Sequence, residues 1–388
     1  MIVPADGGPG LSVASLVDEA RARSGYQGDV PFTSTLELLV SSCARSARLS
    51  ATGAQVLRRA ALRHLRNLCD VLAHVDAFPD TRARPLPSPV VVTGLPRTGT
   101  TLLHNLLALD PARRPLWFWE ALNPVPPGPS TPTVDERIAR AEAWLEAFYR
   151  MAPEFRAIHP ASATGPEECD ALLQNTFASQ HFDDMFDAGE YSTWLGRAPL
   201  AREYDFYALQ LRALSASSPP GATWALKSPG HLGHLDALLG ALPEATVVVC
   251  HRDPRQAVAS YASLIATVRR PYTEELSLPV VGRQALARAG EAMERALAVR
   301  DGAAGRFVDV PYRRLADDPL GAVAAVYRDL GQPLTDEAVA RMRGWVAENP
   351  RHRHGAHRYD LARFGLTEGT VMEAFAPYLE RFGDLVDG

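Results

Sequence analysis

The segment Gly94-Leu-Pro-Arg-Thr-Gly99-Thr100-Thr101 has the glycine spacing of the nucleoside-triphosphate loop G-x-x-x-x-G-K-[ST], with Thr100 where the lysine belongs. Backbone N–H groups of such a loop, with the start of the helix that follows, form an anion cradle, and glycines such as Gly94 and Gly99 let the backbone approach closely. The cradle survives the exchange of lysine for threonine; the charge does not. In ATP and GTP enzymes that lysine reaches the β- and γ-phosphates and the Ser/Thr holds magnesium. This loop therefore favours a less highly charged anion handled without metal. Arg97 and the hydroxyls of Thr98, Thr100 and Thr101 are the side chains offered to it. A ligand-free strand-to-helix turn shares the glycine spacing, but packing alone is a poor explanation for so many cationic and hydroxyl side chains in one turn.

A second anion site is readable further on. Val247–Cys250 has the character of a buried strand, Arg252 follows two residues later, and Asp253-Pro254 opens a helix bearing Ser260. An arginine at the carboxyl end of a parallel strand stands where open α/β sheets bind ligands, and Ser260, two turns along the helix, can face the same point. A 5′-phosphosulfate fits the first loop, since its terminal sulfuryl group carries little charge of its own. Arg252 and Ser260 would then grip a 3′-phosphate, the group that separates 3′-phosphoadenosine-5′-phosphosulfate (PAPS) from ATP. Pairing of Arg252 with Asp253 is the competing explanation. Lys227 is the only lysine in an arginine-rich sequence.

The elements that must position these residues follow from periodicity and punctuation. Leu11 to about Ala77 repeats apolar residues at three and four, with Ser12, Ser34 and Ser50 as plausible caps, which predicts an all-helical region over 1–85. A proline-rich loop over Phe78–Pro89 leads to the β-branched run Val90–Thr93, then the glycine loop, then a helix over Thr100–Leu109. After a second proline-rich break at Pro124–Pro132, helices are expected over Val134–Met151 and Pro166–Phe177, part of a mostly helical acceptor-binding insertion at about 120–220. Strands are expected at Thr223–Leu226, Thr246–Cys250 and Arg306–Val310, with a helix after the second reaching Leu264. Short apolar strands each followed by helix imply a central parallel sheet flanked by helices, in an α/β domain over 86–388.

Bulk properties narrow the class. With 46% hydrophobic and 22% charged residues and a net charge of −5, the 388-residue chain has a globular composition and is a poor general nucleic-acid binder. Cys43, Cys69, Cys169 and Cys250 show no C-x-x-C spacing and no histidines in metal-ligand register, so no zinc site or disulfide framework is expected. The N-terminus lacks a signal-peptide pattern, and no apolar run approaches the roughly 18 residues of a membrane span. A cytoplasmic location is the expectation.

Three blocks, Val90–Asp110 (VVVTGLPRTGTTLLHNLLALD), Trp224–Leu239 (WALKSPGHLGHLDALL) and Val247–Leu264 (VVVCHRDPRQAVASYASL), resemble the PAPS-dependent sulfotransferases, especially the bacterial branch similar to tyrosylprotein sulfotransferases. With weaker similarity the resemblance runs from about Pro89 to Leu366. It implies the P-loop nucleotide-kinase-like sulfotransferase fold, PAPS as donor with PAP (3′-phosphoadenosine-5′-phosphate) as product, no metal, and in-line sulfuryl transfer to a hydroxyl or amine. By that resemblance Lys227 stabilises charge on the bridging oxygen together with Arg97. Glu120, in Trp117-Phe-Trp-Glu120, is the general base. Tyr312 lies near the nucleotide. His159 and His231 are rival bases, because the better-known hormone and phenol enzymes use a histidine; their C-terminal R-K-G-x-x-G motif is absent here. Arg351, Arg353 and Arg358 are candidates to close over the 3′-phosphate. Trp117, Phe118, Trp119, Phe182, Tyr191 and Trp194 suggest an apolar pocket for a lipophilic or aromatic acceptor. Two other functions keep the loop: an ATP-dependent kinase, against which Thr100 argues, and a non-catalytic nucleotide-binding protein.

Overall fold

The computed structural model describes residues 11–128, 131–151, 161–303, 305–349 and 360–387. Five strands form one sheet: β1 Val90–Gly94, β2 Arg113–Pro115, β3 Thr223–Lys227, β4 Thr246–His251 and β5 Phe307–Pro311, in the order β2-β3-β1-β4-β5. Every pairing is parallel. Val91 and Val92 stand beside Leu226 and Lys227 on one side and beside Val247 and Val248 on the other. With β1 in the middle, the carboxyl ends of β1, β3, β4 and β5 meet along one rim, where such sheets carry their ligands.

The helices are α1 Val13–Ser24, α2 Thr33–Ser46, α3 Ala51–Ala77, α4 Thr100–Leu107, α5 Phe118–Ala121, α6 Val134–Met151, α7 Asp170–Leu173, α8 Gln180–Met185, α9 Gly189–Arg197 and α10 Ala201–Leu214. They continue with α11 Leu235–Ala241, α12 Pro254–Arg269, α13 Leu278–Gly302, α14 Tyr312–Asp317, α15 Pro319–Asp329, α16 Asp336–Glu348, α17 Glu368–Ala374 and α18 Ala376–Asp387. Ser12 and Ser50 cap α1 and α3 through their side chains, as expected from the sequence. Ser34 does not: α2 begins one residue earlier, after Phe32 at φ 65° with no side-chain cap. Residues of α1 to α3 share one apolar core with β1, β3 and β4, α10, α12, α13 and the C-terminal helices. A smaller core on the other face joins β1, β4 and β5 to α4, α15 and α16. No helix among the described residues is long and apolar enough to cross a membrane.

Two departures from the sequence reading matter for the rim. Strand β2 was not expected, since Arg113-Arg-Pro has no apolar signature; the chain enters it by backbone pairing with Thr223 to Ala225. The helix expected over Pro166–Phe177 is reduced to α7 and a 3₁₀ turn at Gln174–Thr176. Residues before it are instead extended, with a bridge between Trp117 and Pro166, because Gly165-Pro166 breaks the helix.

Candidate active site

The glycine loop connects β1 to α4 at the centre of the rim. Gly94 has φ 147°, and a Cβ there would lie 2.5 Å from the Cys250 carbonyl oxygen of β4. Arg97 at φ 72° and Gly99 at φ 88° are both left-handed, with Thr98 between them outside that region. This alternation turns successive N–H groups toward one concave face. A left-handed arginine costs about 1 kcal/mol or more, and strain of this kind collects at ligand sites. Thr98 is fully buried and donates its hydroxyl to the Leu95 carbonyl at 2.8 Å, so it shapes the loop. Thr100 and Thr101 begin α4, whose N-terminus carries partial positive charge.

The two predicted anion sites meet in space. The Arg97 Nε donates to Ser260 Oγ at 3.2 Å, and Arg252 Nη1 donates to the Arg97 carbonyl at 2.6 Å. Arg252 also donates to Gln256 Oε1 at 2.9 Å and stacks 4.2 Å over the Tyr312 ring. Tyr312 in turn bounds Gly99, where a Cβ would lie 2.9 Å from the tyrosine ring. Asp253 is occupied elsewhere: it caps α12 at the Arg255 N–H (2.8 Å) and pairs with the Arg255 side chain at 2.8 Å.

Lys227, the only lysine in the chain, ends β3 and is 2% exposed. Its Nζ donates to Thr101 Oγ1 at 3.4 Å and pairs closely with Glu168. Sequence reasoning missed Glu168. It sits in the extended run after Gly165-Pro166, where the Glu167 N–H donates to the Leu116 carbonyl (2.7 Å) and the Cys169 N–H to the Lys227 carbonyl (2.9 Å). These bonds lash the run across the ends of β2 and β3 and set the Glu168 carboxylate against Lys227. A Gly-Pro turn followed by a Glu-Glu doublet was the available signal.

Glu120 is held in a buried ion pair. It is 2% exposed, accepts from Arg114 Nη2 at 2.6 Å and from the Trp117 N–H at 3.3 Å. Burial raises its carboxyl pKa and the adjacent Arg114 guanidinium opposes that. Arg114 stacks 4.1 Å over Trp224, three residues before Lys227, or roughly 10 Å down the strand. Glu120 therefore serves a buried ion pair beside the β2–β3 edge. His231 is fully buried, its Nδ1 bonded to Tyr204 Oη at 2.9 Å, and burial pushes its pKa down to about 3. His159, Arg351, Arg353 and Arg358 lie outside the described residues.

A cavity of about 250 Å³ adjoins the loop. Leu95 and Pro96 on one wall and Pro229 and Gly230 on another come from the segments that carry Arg97 and Lys227. None of the six aromatics expected to form an acceptor pocket lines it. Phe182 and Tyr191 are inside the main core with Trp194 against it, and Phe118 and Trp119 build a separate cluster with Trp117. Their apolar bulk is used for packing, which is where most large aromatics go.

The sulfotransferase family model matches residues 89–336; the chain belongs to this family and is an enzyme that transfers sulfuryl groups. Among solved structures it is similar to sulfotransferase STF9 from Mycobacterium avium, at 28% identity and TM-score 0.82 over 95% of this chain and 96% of that one. It is also similar to sulfotransferase STF1 from Mycobacterium tuberculosis H37Rv, at 28% identity and TM-score 0.79, covering 94% and 98%. No curated protein sequence matches it significantly.

Proposed function

We propose that the chain transfers the sulfuryl group of PAPS to a hydroxyl or amine of a small molecule held in the cavity, releasing PAP. The observation that carries this reading is the convergence of Arg97, Arg252, Ser260, Tyr312 and Lys227 at the ends of β1, β3, β4 and β5. The residues fit the donor. The left-handed turns at Arg97 and Gly99 suit an anion, and Gly94 and Gly99 leave space that a Cβ would fill. In this reading the N–H groups of Gly94–Thr101 and the hydroxyls of Thr100 and Thr101 hold the 5′ end, and Arg252 and Ser260 hold the 3′-phosphate. PAPS, when bound, supplies a sulfuryl group on a phosphate leaving group.

The rest of the chemistry belongs to side chains of the chain. Lys227 and Arg97 direct positive charge at the loop. The general base is Glu168, which sits against Lys227 with 24% of its side chain exposed. Glu120 lacks such access, and a histidine with a pKa near 3 is too weakly basic to take a proton well at neutral pH. The four cysteines are free thiols, which supports a reducing, cytoplasmic setting.

Thermal stabilisation by PAP, AMP and ATP with magnesium tests the donor. PAP should stabilise without magnesium, by roughly 2.7 kcal/mol at a hundred times its Kd, and more than AMP. Stronger stabilisation by ATP with magnesium would replace this reading with a kinase. Arg252→Ala should remove about 2 kcal/mol of the preference for PAP over AMP; an unchanged preference would displace the 3′-phosphate site.

A further inference from the structure

Resting on the reading of Arg252 as the anchor of the 3′-phosphate, we infer that Tyr378 of the C-terminal helix α18 is a positioning residue for that arginine and so sets the preference for a 3′-phosphorylated nucleotide. Arg252 stands in the short link between β4, which ends at His251, and α12, which begins at Pro254. A link of this kind has neither ladder nor helix bonds of its own, and a bidentate grip on phosphate depends on where the backbone holds the guanidinium. The C-terminal helices supply the hold from behind. The Tyr378 hydroxyl accepts from the Arg252 N–H and lies 3.1 Å from His251 Nδ1. His251 Nε2 is 2.7 Å from Asp309 Oδ1 on β5, and Asp309 Oδ2 accepts from Arg300 Nη2 of α13 at 2.8 Å.

One set of proton positions satisfies every group in this chain. The Arg252 N–H donates to Tyr378, the Tyr378 O–H donates to His251 Nδ1, and the proton on His251 Nε2 goes to Asp309. His251 and Tyr378 are each 1% exposed, so solvent is not at hand to replace a lost member. Ring packing fixes the hydroxyl: Tyr378 stacks on His251 at 5.7 Å and 11°, and Phe382, one turn along α18, lies 4.7 Å from His251 and 5.8 Å from Tyr378. A second tie from the C-terminal helices is weaker. Arg255 of α12 reaches Glu368 of α17 at 3.3 Å, but Glu368 is 73% exposed, and a surface pair of this kind contributes little. The buried hydroxyl, which bonds the Arg252 backbone itself, is therefore the contact that holds the arginine in place.

The test measures PAP and AMP affinity by calorimetry on the full-length protein. Tyr378→Phe keeps the ring stack and removes the hydroxyl, leaving the Arg252 N–H and His251 Nδ1 without that partner. PAP should weaken about tenfold, the scale of one lost hydrogen bond, while AMP, which has no 3′-phosphate, stays within about twofold. Tyr327→Phe controls for stability. Tyr327 is 2% exposed and donates its hydroxyl to Asp110 at 2.5 Å, so this variant loses a buried hydrogen bond of the same kind and should leave the ratio of PAP to AMP affinity unchanged. In a double-mutant cycle, Tyr378→Phe should add almost nothing to the loss of PAP affinity once Arg252→Ala is present. Equal weakening of PAP and AMP, or the same loss of PAP affinity in the Arg252→Ala background, would make Tyr378 a structural residue and overturn the inference. Wild-type PAP affinity in Tyr378→Phe would also overturn it, while the 3′-phosphate reading stands as long as Arg252→Ala loses its preference for PAP. If Arg252→Ala keeps that preference, the reading falls and the inference with it.

Discussion

Replacing Glu168 by glutamine separates a base from a structural partner. The change leaves Lys227, 2% exposed, without its counter-charge. Removing one member of a fully buried pair costs about 3–5 kcal/mol. Here Glu168 retains 24% exposure, the glutamine oxygen still accepts, and Thr101 remains 3.4 Å from Nζ. About 1–2 kcal/mol is therefore expected, a drop of a few degrees in Tm. Loss of the proton acceptor should lower turnover by about 10²-fold or more and remove the acid limb of the pH profile of kcat/KM. The assay follows PAP release with an acceptor that the wild type sulfates, alongside PAP affinity, which should change little. Glu120→Gln is the opposing arm. Its pair with Arg114 has side-chain exposures of 3% and 5%, so about 3–5 kcal/mol of stability should go, with turnover per folded molecule and the acid limb retained. A Glu168→Gln enzyme within threefold of wild-type turnover, with its acid limb intact, would refute the assignment. Flattening of that limb in Glu120→Gln would restore the base expected from sequence.

Lys227→Ala should lose turnover far more than PAPS affinity, since the contact proposed for it strengthens as charge reaches the leaving oxygen; a defect confined to the PAPS Kd would make it a ground-state anchor. Gly99→Ala should cost about 1–2 kcal/mol for its left-handed backbone and, by displacing Tyr312 from beneath Arg252, weaken PAP about tenfold in calorimetry; wild-type PAP affinity would show that the ring does not brace the arginine. Burial raises the Glu167 carboxyl to about 7, above its ordinary unfolded value, so its favourable contribution is complete below that unfolded value and is lost as pH rises through 7. Glu167→Gln should therefore gain in Tm relative to wild type as pH is raised from about 4.5 to 7, and a difference independent of pH would contradict this origin.

What the sequence disclosed and what it hid differ in physical kind. The loop was legible because its constraint is local: Gly94 and Gly99 are dictated by backbone dihedrals and by atoms of the next strand and helix, and such demands write themselves into residue type. The β-branched runs of β1 and β4 were legible because burial on both faces leaves only apolar residues. Strand β2 was hidden because three residues join the sheet edge through backbone bonds that any side chain permits. The partner of Lys227 was hidden for a related reason. Glu120 had aromatic neighbours in sequence, and those neighbours turned out to be packing around the Arg114 pair. Glu168 reaches Lys227 only because backbone bonds to Leu116 and Lys227 hold its segment across two strand ends, a tertiary fact with no periodic signature. The aromatics expected to line an acceptor pocket show the same difference: they advertise themselves in a sequence, but Phe182 and Tyr191 are spent on the main core and Phe118 and Trp119 on a separate cluster. A loop fixed by its backbone can be found by motif, whereas a contact such as that of Lys227 with Glu168 emerges only in the folded chain.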